Sequence, residues 1–229
     1  MIRRVNILVE GQTEETFVNA MLSPSLQPRE LYLKAILVTT KPLASRSRQE
    51  RGQPGRQFKG GIGTYDKVKR DIRNVLRDKN LTAVTTMIDY YQLPSDFPGM
   101  NKLSATNGRD RVHHLETAFH EDVADPRFRP FLTLHEFEAL LFAEPQVIAD
   151  ALGLAPAEAR SLVEVRASFH SPEEIDEGPT THPSARIAGM SKAYRKPFHG
   201  LLIAQRIGIE TMRQECPHFA QWLNWLESL

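Results

Sequence analysis

The chain of 229 residues is 41% hydrophobic and 25% charged, a composition that excludes disordered and fibrous proteins and allows one large domain with its own core. Its single cysteine, Cys216, excludes a disulfide framework and a cysteine-based zinc site. The sequence holds no apolar run of about 18 residues, and its start turns polar too early for a signal peptide. We therefore expect a cytoplasmic protein that has no membrane partner; the sequence favours no particular oligomeric state.

The net charge of +1 conceals an uneven distribution along the chain. Residues 1–79 contain 16 Lys and Arg against 8 Asp and Glu, whereas residues 80–229 contain 13 against 20. Such an asymmetry indicates an anionic partner on one face of the protein. An unevenly charged, solvated surface is the alternative interpretation.

The predicted elements alternate between strands and helices. Residues 5–9 are an apolar run that predicts a strand buried on both faces, and a helix follows with Thr13 as its expected N-cap. The other predicted elements are strands over 31–39, 83–88 and 131–134, helices over 65–77 and 110–122, and a helical region from 135 to the C-terminus. This order predicts an α/β fold with a mostly parallel, Rossmann-like sheet flanked by helices. We expect an α/β domain over residues 1–150 and a helical extension over residues 151–229, packed together as one unit.

Two acidic residues directly follow predicted strands. Glu10 stands after the first strand and Asp89 after the third. Because ligands of open α/β sheets bind outside the carboxyl ends of the strands, both carboxylates are expected at the same edge. Carboxylate oxygens are the ligands that Mg²⁺ prefers, so the pair predicts a metal site. Two independent, solvated loop residues are the alternative.

A third acid lies among apolar residues. If a helix starts at His135, a rotation of about 100° per residue places Glu138 between Leu141 and Phe142. A carboxylate in such surroundings is costly to desolvate unless a cation or hydrogen bonds compensate. Glu138 is therefore a candidate metal ligand, unless it sits at an edge and reaches water. Glu136 falls on the opposite flank and is expected nearer to solvent.

Three sequence patterns together resemble a known family. They are VEGQTEE at residues 9–15, MIDYYQLP at residues 87–94 and HEFEALLF at residues 135–142. They resemble a bacterial Toprim-like family of unknown function, allied to the Toprim domains of OLD-type nucleases and more distantly to those of topoisomerases and primases. Stretches at 183–187, 194–200 and 216–223 extend the resemblance over nearly the whole chain.

The resemblance assigns roles to individual acids. Glu10 resembles the Toprim glutamate after the first strand, a general acid or base or metal ligand, and Asp89 resembles the first aspartate of the Asp-x-Asp pair. Glu138 resembles a third acid that related nucleases carry after the fourth strand. The second aspartate position holds Tyr91, which leaves open whether one or two ions bind; Asp96 or Glu138 could replace that ligand.

Two basic segments are candidate phosphate contacts. A predicted loop over residues 41–63 carries five cations, Arg46, Arg48, Arg51, Arg56 and Lys59. A second cluster contains Arg186, Lys192 and Lys196, the two lysines being expected one turn apart on a helix, where they could bind a phosphate or stabilise a leaving group. Solvated surfaces would have the same composition.

The resemblance implies a Toprim-like fold that hydrolyses phosphodiester bonds of DNA or RNA with Mg²⁺ or Mn²⁺. The nuclease relatives further imply phage or plasmid defence or DNA repair, beside an ATPase partner. A non-catalytic Toprim-like module that binds nucleic acid or a partner protein is the main alternative. Phosphotransfer or hydrolysis on a free nucleotide is the third.

Overall fold

A parallel β-sheet forms the centre of the protein in a computed structural model that describes residues 2–38, 62–91, 93–103, 107–175, 178 and 180–229. Its strands are β1 (Arg3–Val9), β2 (Leu31–Leu37), β3 (Ala83–Asp89), β4 (Phe128–Arg129) and β5 (Leu132–Thr133). The strand order is β2-β1-β3-β4, and β5 also pairs with β3. All of these pairs are parallel. This confirms the predicted α/β fold with a mostly parallel, Rossmann-like sheet.

Helices cover both faces of the sheet. They are α1 (Gln12–Phe17), α2 (Ser23–Leu26), α3 (Tyr65–Val75), α4 (Gly108–Val123), α5 (Glu138–Leu141), α6 (Pro145–Leu152), α7 (Pro156–Ala167), α8 (Pro183–Met190), α9 (Lys196–Ile207), α10 (Ile209–Glu215) and α11 (Pro217–Ser228). A π-helical turn over Val18–Leu22 joins α1 to α2, and short 3₁₀ turns cover Gln27–Arg29, Met100–Lys102 and Pro172–Glu174. None of the helices in the described ranges is long and apolar enough to cross a membrane.

Strand β1 separates two apolar clusters because its side chains alternate between the faces of the sheet. Val5, Ile7 and Val9 pack with α1, α5, α9 and α11 on one face. Leu8 packs with α3 and α4 on the other. Helices from residues 151–229 thus share a core with the first half of the chain, and they close the face on which α1 lies.

The edge of the sheet beside β3 is interrupted. A continuous strand over 131–134 was the prediction, but β4 and β5 each have only two residues and are separated by Pro130 and Phe131. Phe131 leaves the ladder, and the Thr86 hydroxyl replaces its lost partners: Thr86 Oγ1 lies 2.9 Å from both the nitrogen and the oxygen of Phe131. A buried threonine side chain therefore satisfies the backbone at this break.

Two predicted helix starts are wrong. The N-cap of α1 is Gly11, and Thr13 is buried within the first turn. No helix starts at His135, because this residue has a left-handed backbone with φ of 62°; α5 begins at Glu138. The left-handed residue redirects the chain after β5, so that residues 136–138 turn across the end of β3.

The Thr86 contact can be tested by replacing the residue with valine, which has nearly the same shape. In Thr86→Val, the buried N–H and C=O of Phe131 lose their partner, so the free energy of unfolding should fall by about 1–3 kcal/mol. Urea denaturation followed by circular dichroism measures the loss. In the control Thr117→Val, the lost bond is the exposed one to His113 O, and the change should stay within about 0.5 kcal/mol. Equal effects of the two substitutions would contradict the role given to Thr86.

Candidate active site

The carboxyl ends of β1 and β3 lie side by side where the topology of the sheet reverses. From β1 the chain passes to β2 on one side, and it later returns to β3 on the other. In this register Val9 pairs with Met87, so Glu10 and Asp89 emerge next to each other, and the backbone of Asp89 is hydrogen bonded to the Glu10 carboxylate. Such a switch point is the usual ligand site of open α/β sheets.

Two further carboxylates join this edge, and one ammonium group lies among them. Glu14, in the first turn of α1, is 3% exposed, and Glu138, at the start of α5, is fully buried. The Nζ atom of Lys196 lies 2.8 Å from Glu138 Oε2, 3.6 Å from Asp89 Oδ2 and 3.8 Å from Glu14 Oε1. Three of the four acids therefore already share one cation.

Close packing between α9 and α1 brings Lys196 to this position. Lys196 is the first residue of α9. One turn later, a Cβ atom on Gly200 would lie 3.3 Å from Thr13 Cγ2 and 3.5 Å from Phe137 Cε1. A Cβ atom there would be tight against Thr13 and in ordinary contact with Phe137. The glycine lets α9 approach α1 closely enough for the lysine to reach the acids.

Directed hydrogen bonds fix two of the carboxylates. The backbone N–H of Phe137 donates to Asp89 Oδ1 at 3.0 Å, and the Tyr194 hydroxyl donates to Glu138 Oε1 at 3.0 Å. Glu138 Oε2 faces Lys196 but accepts no well-directed hydrogen bond from the described residues. This oxygen is buried, and the Lys196 ammonium at 2.8 Å balances its charge.

Burial and mutual repulsion hold protons on this cluster. Desolvation, with Glu14 as the next cause, raises the pKa of Glu10 to about 7. Desolvation also raises the pKa of Asp89 and of Glu138, although Lys196 opposes it in both. Burial alone would lower the pKa of Lys196, but the surrounding carboxylates, Glu138 first, raise it well above its usual value. The ammonium is charged at neutral pH and does not neutralise all four acids.

Glu136 lies in a separate, neighbouring group of polar side chains. It was expected nearer to solvent, but it is only 6% exposed, because the helix that would have turned it outward does not start at His135. Glu136 Oε1 lies 2.7 Å from His182 Nδ1 and accepts from the Ser184 N–H at 2.7 Å. The His182 ring in turn stacks on Tyr91, with ring centroids 5.0 Å apart.

The other predicted ligands and phosphate contacts have different surroundings. Asp96 accepts the Tyr65 N–H at the start of α3, so its carboxylate already serves as a helix cap. Arg186 Nε donates to the Thr181 carbonyl. Lys192 is exposed in the turn before α9. The prediction that it shares a helix with Lys196 is therefore wrong. The five loop cations, Arg46, Arg48, Arg51, Arg56 and Lys59, lie outside the described residues.

Sequence reasoning missed Glu14 as a site residue and did not connect Lys196 with the acids. Glu14 had a local signal, since it lies one turn after Glu10 and its side chain returns over Gly11, where an added Cβ would stand 2.9 Å from Glu14 Oε2. No local signal marks the pairing of Lys196, because its partners lie 58 or more positions earlier. Among the described residues, no group of three or more His, Cys, Asp or Glu side chains is arranged to hold a metal ion.

Comparison with known proteins identifies the family of the chain. The family model described as "Domain of unknown function (DUF4276)" matches residues 9–227. The chain belongs to the DUF4276 family. No curated protein and no solved structure matches this DUF4276 chain significantly.

The ion cluster of this DUF4276 protein can be tested by removing its ammonium group. Lys196→Met keeps the apolar stem but leaves the buried carboxylates without their cation. In metal-free buffer at pH 7.5, the free energy of unfolding should fall by about 2–3 kcal/mol, less than for a fully buried pair because Lys196 is 34% exposed. Denaturant titration measures this change.

Two variants serve as controls for Lys196→Met. Lys192→Met removes an exposed ammonium and should cost no more than about 0.5 kcal/mol. The double variant Lys196→Met/Glu138→Gln should recover much of the lost stability, because it also removes the most deeply buried charge. A single variant as stable as the wild type would show that the ammonium does not hold the cluster together.

The raised pKa of Glu10 makes stability depend on pH. The carboxyl group has a pKa of about 7 when folded against 4.5 when unfolded, so its protonated form favours the fold, and stability falls as pH rises from 4.5 through 7. Glu10→Gln removes this dependence. In metal-free buffer, the stability of the variant relative to the wild type should rise by about 1–3 kcal/mol between pH 4.5 and 8. Glu121→Gln, at an exposed position of α4, should give a flat difference, and a flat difference for Glu10→Gln too would contradict the assignment.

Proposed function

We propose that this protein is a Toprim-like nuclease that hydrolyses phosphodiester bonds of DNA or RNA with Mg²⁺ or Mn²⁺. The observation that carries the proposal is the meeting of Glu10, Glu14, Asp89 and Glu138 around Lys196 at the switch point of the sheet. A structural salt bridge needs one acid for one base. Four clustered acids, three of which have pKa values raised first by burial and then by neighbouring carboxylates, are typical of a site built for additional positive charge.

The donor set fits a hard divalent cation. Glu10, Asp89 and Glu138 would hold the ion, with Glu14 as a further carboxylate, and Glu138 Oε2 is a buried oxygen that accepts no well-directed hydrogen bond from the described part of the chain. When bound, such an ion supplies Lewis-acid polarisation of the phosphoryl oxygen and stabilises the developing charge. The three carboxylates that approach Lys196 Nζ within 3.8 Å already converge on a common cation.

The other parts of the proposed reaction are assigned to individual side chains of this protein. Glu10, whose pKa is about 7 in the metal-free protein, is either a ligand of the ion or the general base that takes a proton from the attacking water. Lys196 is partly exposed on a flexible stem and supplies a positive charge to a phosphate oxygen. Lys192 and Arg195, exposed just before α9, extend the positive surface toward a polymer backbone.

The cellular role belongs to the same proposal. We place the enzyme in the cytoplasm, in phage or plasmid defence or in DNA repair, beside an ATPase partner, by analogy with the OLD-type nucleases that the sequence patterns resemble. The fold alone does not select this role, because one α/β scaffold supports many functions.

One observation favours a non-catalytic alternative. The Lys196 ammonium takes the place among the carboxylates that an ion would need, and it pairs with Glu138 at 2.8 Å. A protein that used the cluster only to hold α9 against the sheet would have the same ion pairs. Such a protein would be a Toprim-like module that binds nucleic acid or a partner protein.

Cleavage assays with acid-to-amide variants test the proposed activity. Wild-type protein should cut labelled single- or double-stranded DNA or RNA with Mg²⁺ or Mn²⁺, and EDTA should abolish the reaction. Asp89→Asn and Glu10→Gln should each lower the rate at least about 100-fold, because each removes a ligand or the base. Glu121→Gln removes an exposed carboxylate and should cut at the wild-type rate.

Binding measurements separate the two proposals. A wild type that binds nucleic acid with a salt-dependent affinity, but cuts none of these substrates with either ion, would support the non-catalytic module. Turnover of free nucleotides without polymer binding would contradict both. Equal cleavage by wild type and Asp89→Asn would show that the reaction takes place elsewhere.

A further inference from the structure

A second group of polar side chains lies at the same sheet edge as the acid cluster. Tyr91 follows Asp89 by two residues, and its N–H donates to the His135 carbonyl at 2.8 Å. The Tyr91 ring stacks on His182 at an interplanar angle of 26°. Glu136, which binds His182, is two residues from Glu138 and acts on its pKa by charge repulsion. The histidine is therefore held by two side chains, each of which lies two residues from an acid of the cluster.

The contacts of His182 fix the role of each ring nitrogen. Nδ1 lies 2.7 Å from Glu136 Oε1, and because a carboxylate only accepts hydrogen bonds, Nδ1 carries a proton. Proton exchange with a ligand is therefore left to Nε2. The His182 side chain is 16% exposed, so part of the ring can be reached from outside.

The contacts of His182 are more than the start of helix α8 requires. Glu136 also accepts the N–H of Ser184 at 2.7 Å and its hydroxyl at 2.9 Å. These two bonds satisfy the start of α8 without an imidazole. The aromatic stacking and the bond to Nδ1 orient the His182 ring in addition, and no part of the proposed nuclease chemistry described so far uses that ring.

We propose that His182, oriented by Glu136 and Tyr91, is the general acid that protonates the leaving oxygen in phosphodiester cleavage. This inference rests on the proposed nuclease function and adds a catalytic residue to it. Hydrolysis expels an alkoxide, which leaves slowly without a proton or a compensating charge. Lys196 is the cation assigned to a phosphate oxygen in this proposal, whereas His182 is held by Glu136 and Tyr91, which lie two residues from Glu138 and Asp89.

The step balances in atoms and protons. The oxygen of a water molecule forms the new bond to phosphorus, and one proton of that water passes to the Glu10 carboxylate. The bond between phosphorus and the leaving oxygen breaks, and this oxygen takes the Nε2 proton from His182. The products are a phosphate monoester and an alcohol; exchange with solvent returns a proton to His182 and removes one from Glu10.

Two substrates with different leaving groups test this role. An oligonucleotide expels a sugar alkoxide, whereas the p-nitrophenyl ester of thymidine 5′-monophosphate expels p-nitrophenolate, which needs no proton. His182→Ala should slow oligonucleotide cleavage about 100-fold or more and p-nitrophenyl ester cleavage less than about 5-fold. Rates are compared under single-turnover conditions with saturating metal, so that metal binding and product release do not affect the comparison.

Controls separate this role from a structural one. His182→Gln keeps a donor toward Glu136 but has no acidic proton, and it should show the same selective loss even if His182→Ala does not fold. His170→Ala, at an exposed position after α7, should leave both rates unchanged. Equal losses on both substrates, or no loss on the oligonucleotide, would overturn the general acid while the nuclease function stood. A wild type that cleaves neither substrate would overturn the nuclease function and the general acid together.

Discussion

The Lys196 ammonium among the buried carboxylates is the contact on which the arrangement of this protein depends. Glu138 is fully buried at the start of α5, and a carboxylate in that position is tolerated only beside a cation or several donors. The cation comes from α9, far along the chain. It reaches the carboxylates where α9 packs closely against α1 at Gly200. The site is therefore not complete in the first 150 residues. The sheet supplies Glu10 and Asp89, and the helical region supplies the charge that lets them lie together.

The parts of the site that follow from local patterns could be predicted from the sequence, and the rest could not. Glu10 and Asp89 were found because strand ends in a parallel sheet meet at one edge, and Glu138 because its apolar neighbours predict burial. Glu136 was misplaced, because nothing in the sequence shows that His135 adopts a left-handed backbone and delays the helix. The pairing of Lys196 depends on how α9 packs against α1. The hydrophobic periodicity of the sequence does not show this packing.

The electrostatics of the cluster support the proposed binding of a cation. In a site made only for stability, each buried acid would have a base, and the pKa values of the acids would fall. Here the pKa of Asp89 and of Glu138 is raised even though Lys196 opposes the shift, because burial and repulsion outweigh one ammonium. The folded protein therefore holds the acids in an unfavourable state. A cation that bound them would recover that free energy, and this recovery is a driving force for binding.

The exposure of Lys196 bears on the two functions proposed for it. Buried ion pairs seldom add net stability. If these ion pairs served only to fix α9, hydrophobic packing or a single well-bonded pair would be the more stable contact. Lys196 is instead 34% exposed, on a stem with several rotatable bonds. Under the proposed nuclease function, such a side chain would leave Glu138 for a phosphate oxygen when a divalent cation took its place. One lysine would then screen the acids in the free protein and contact the substrate in the complex, which a permanent structural bridge could not do.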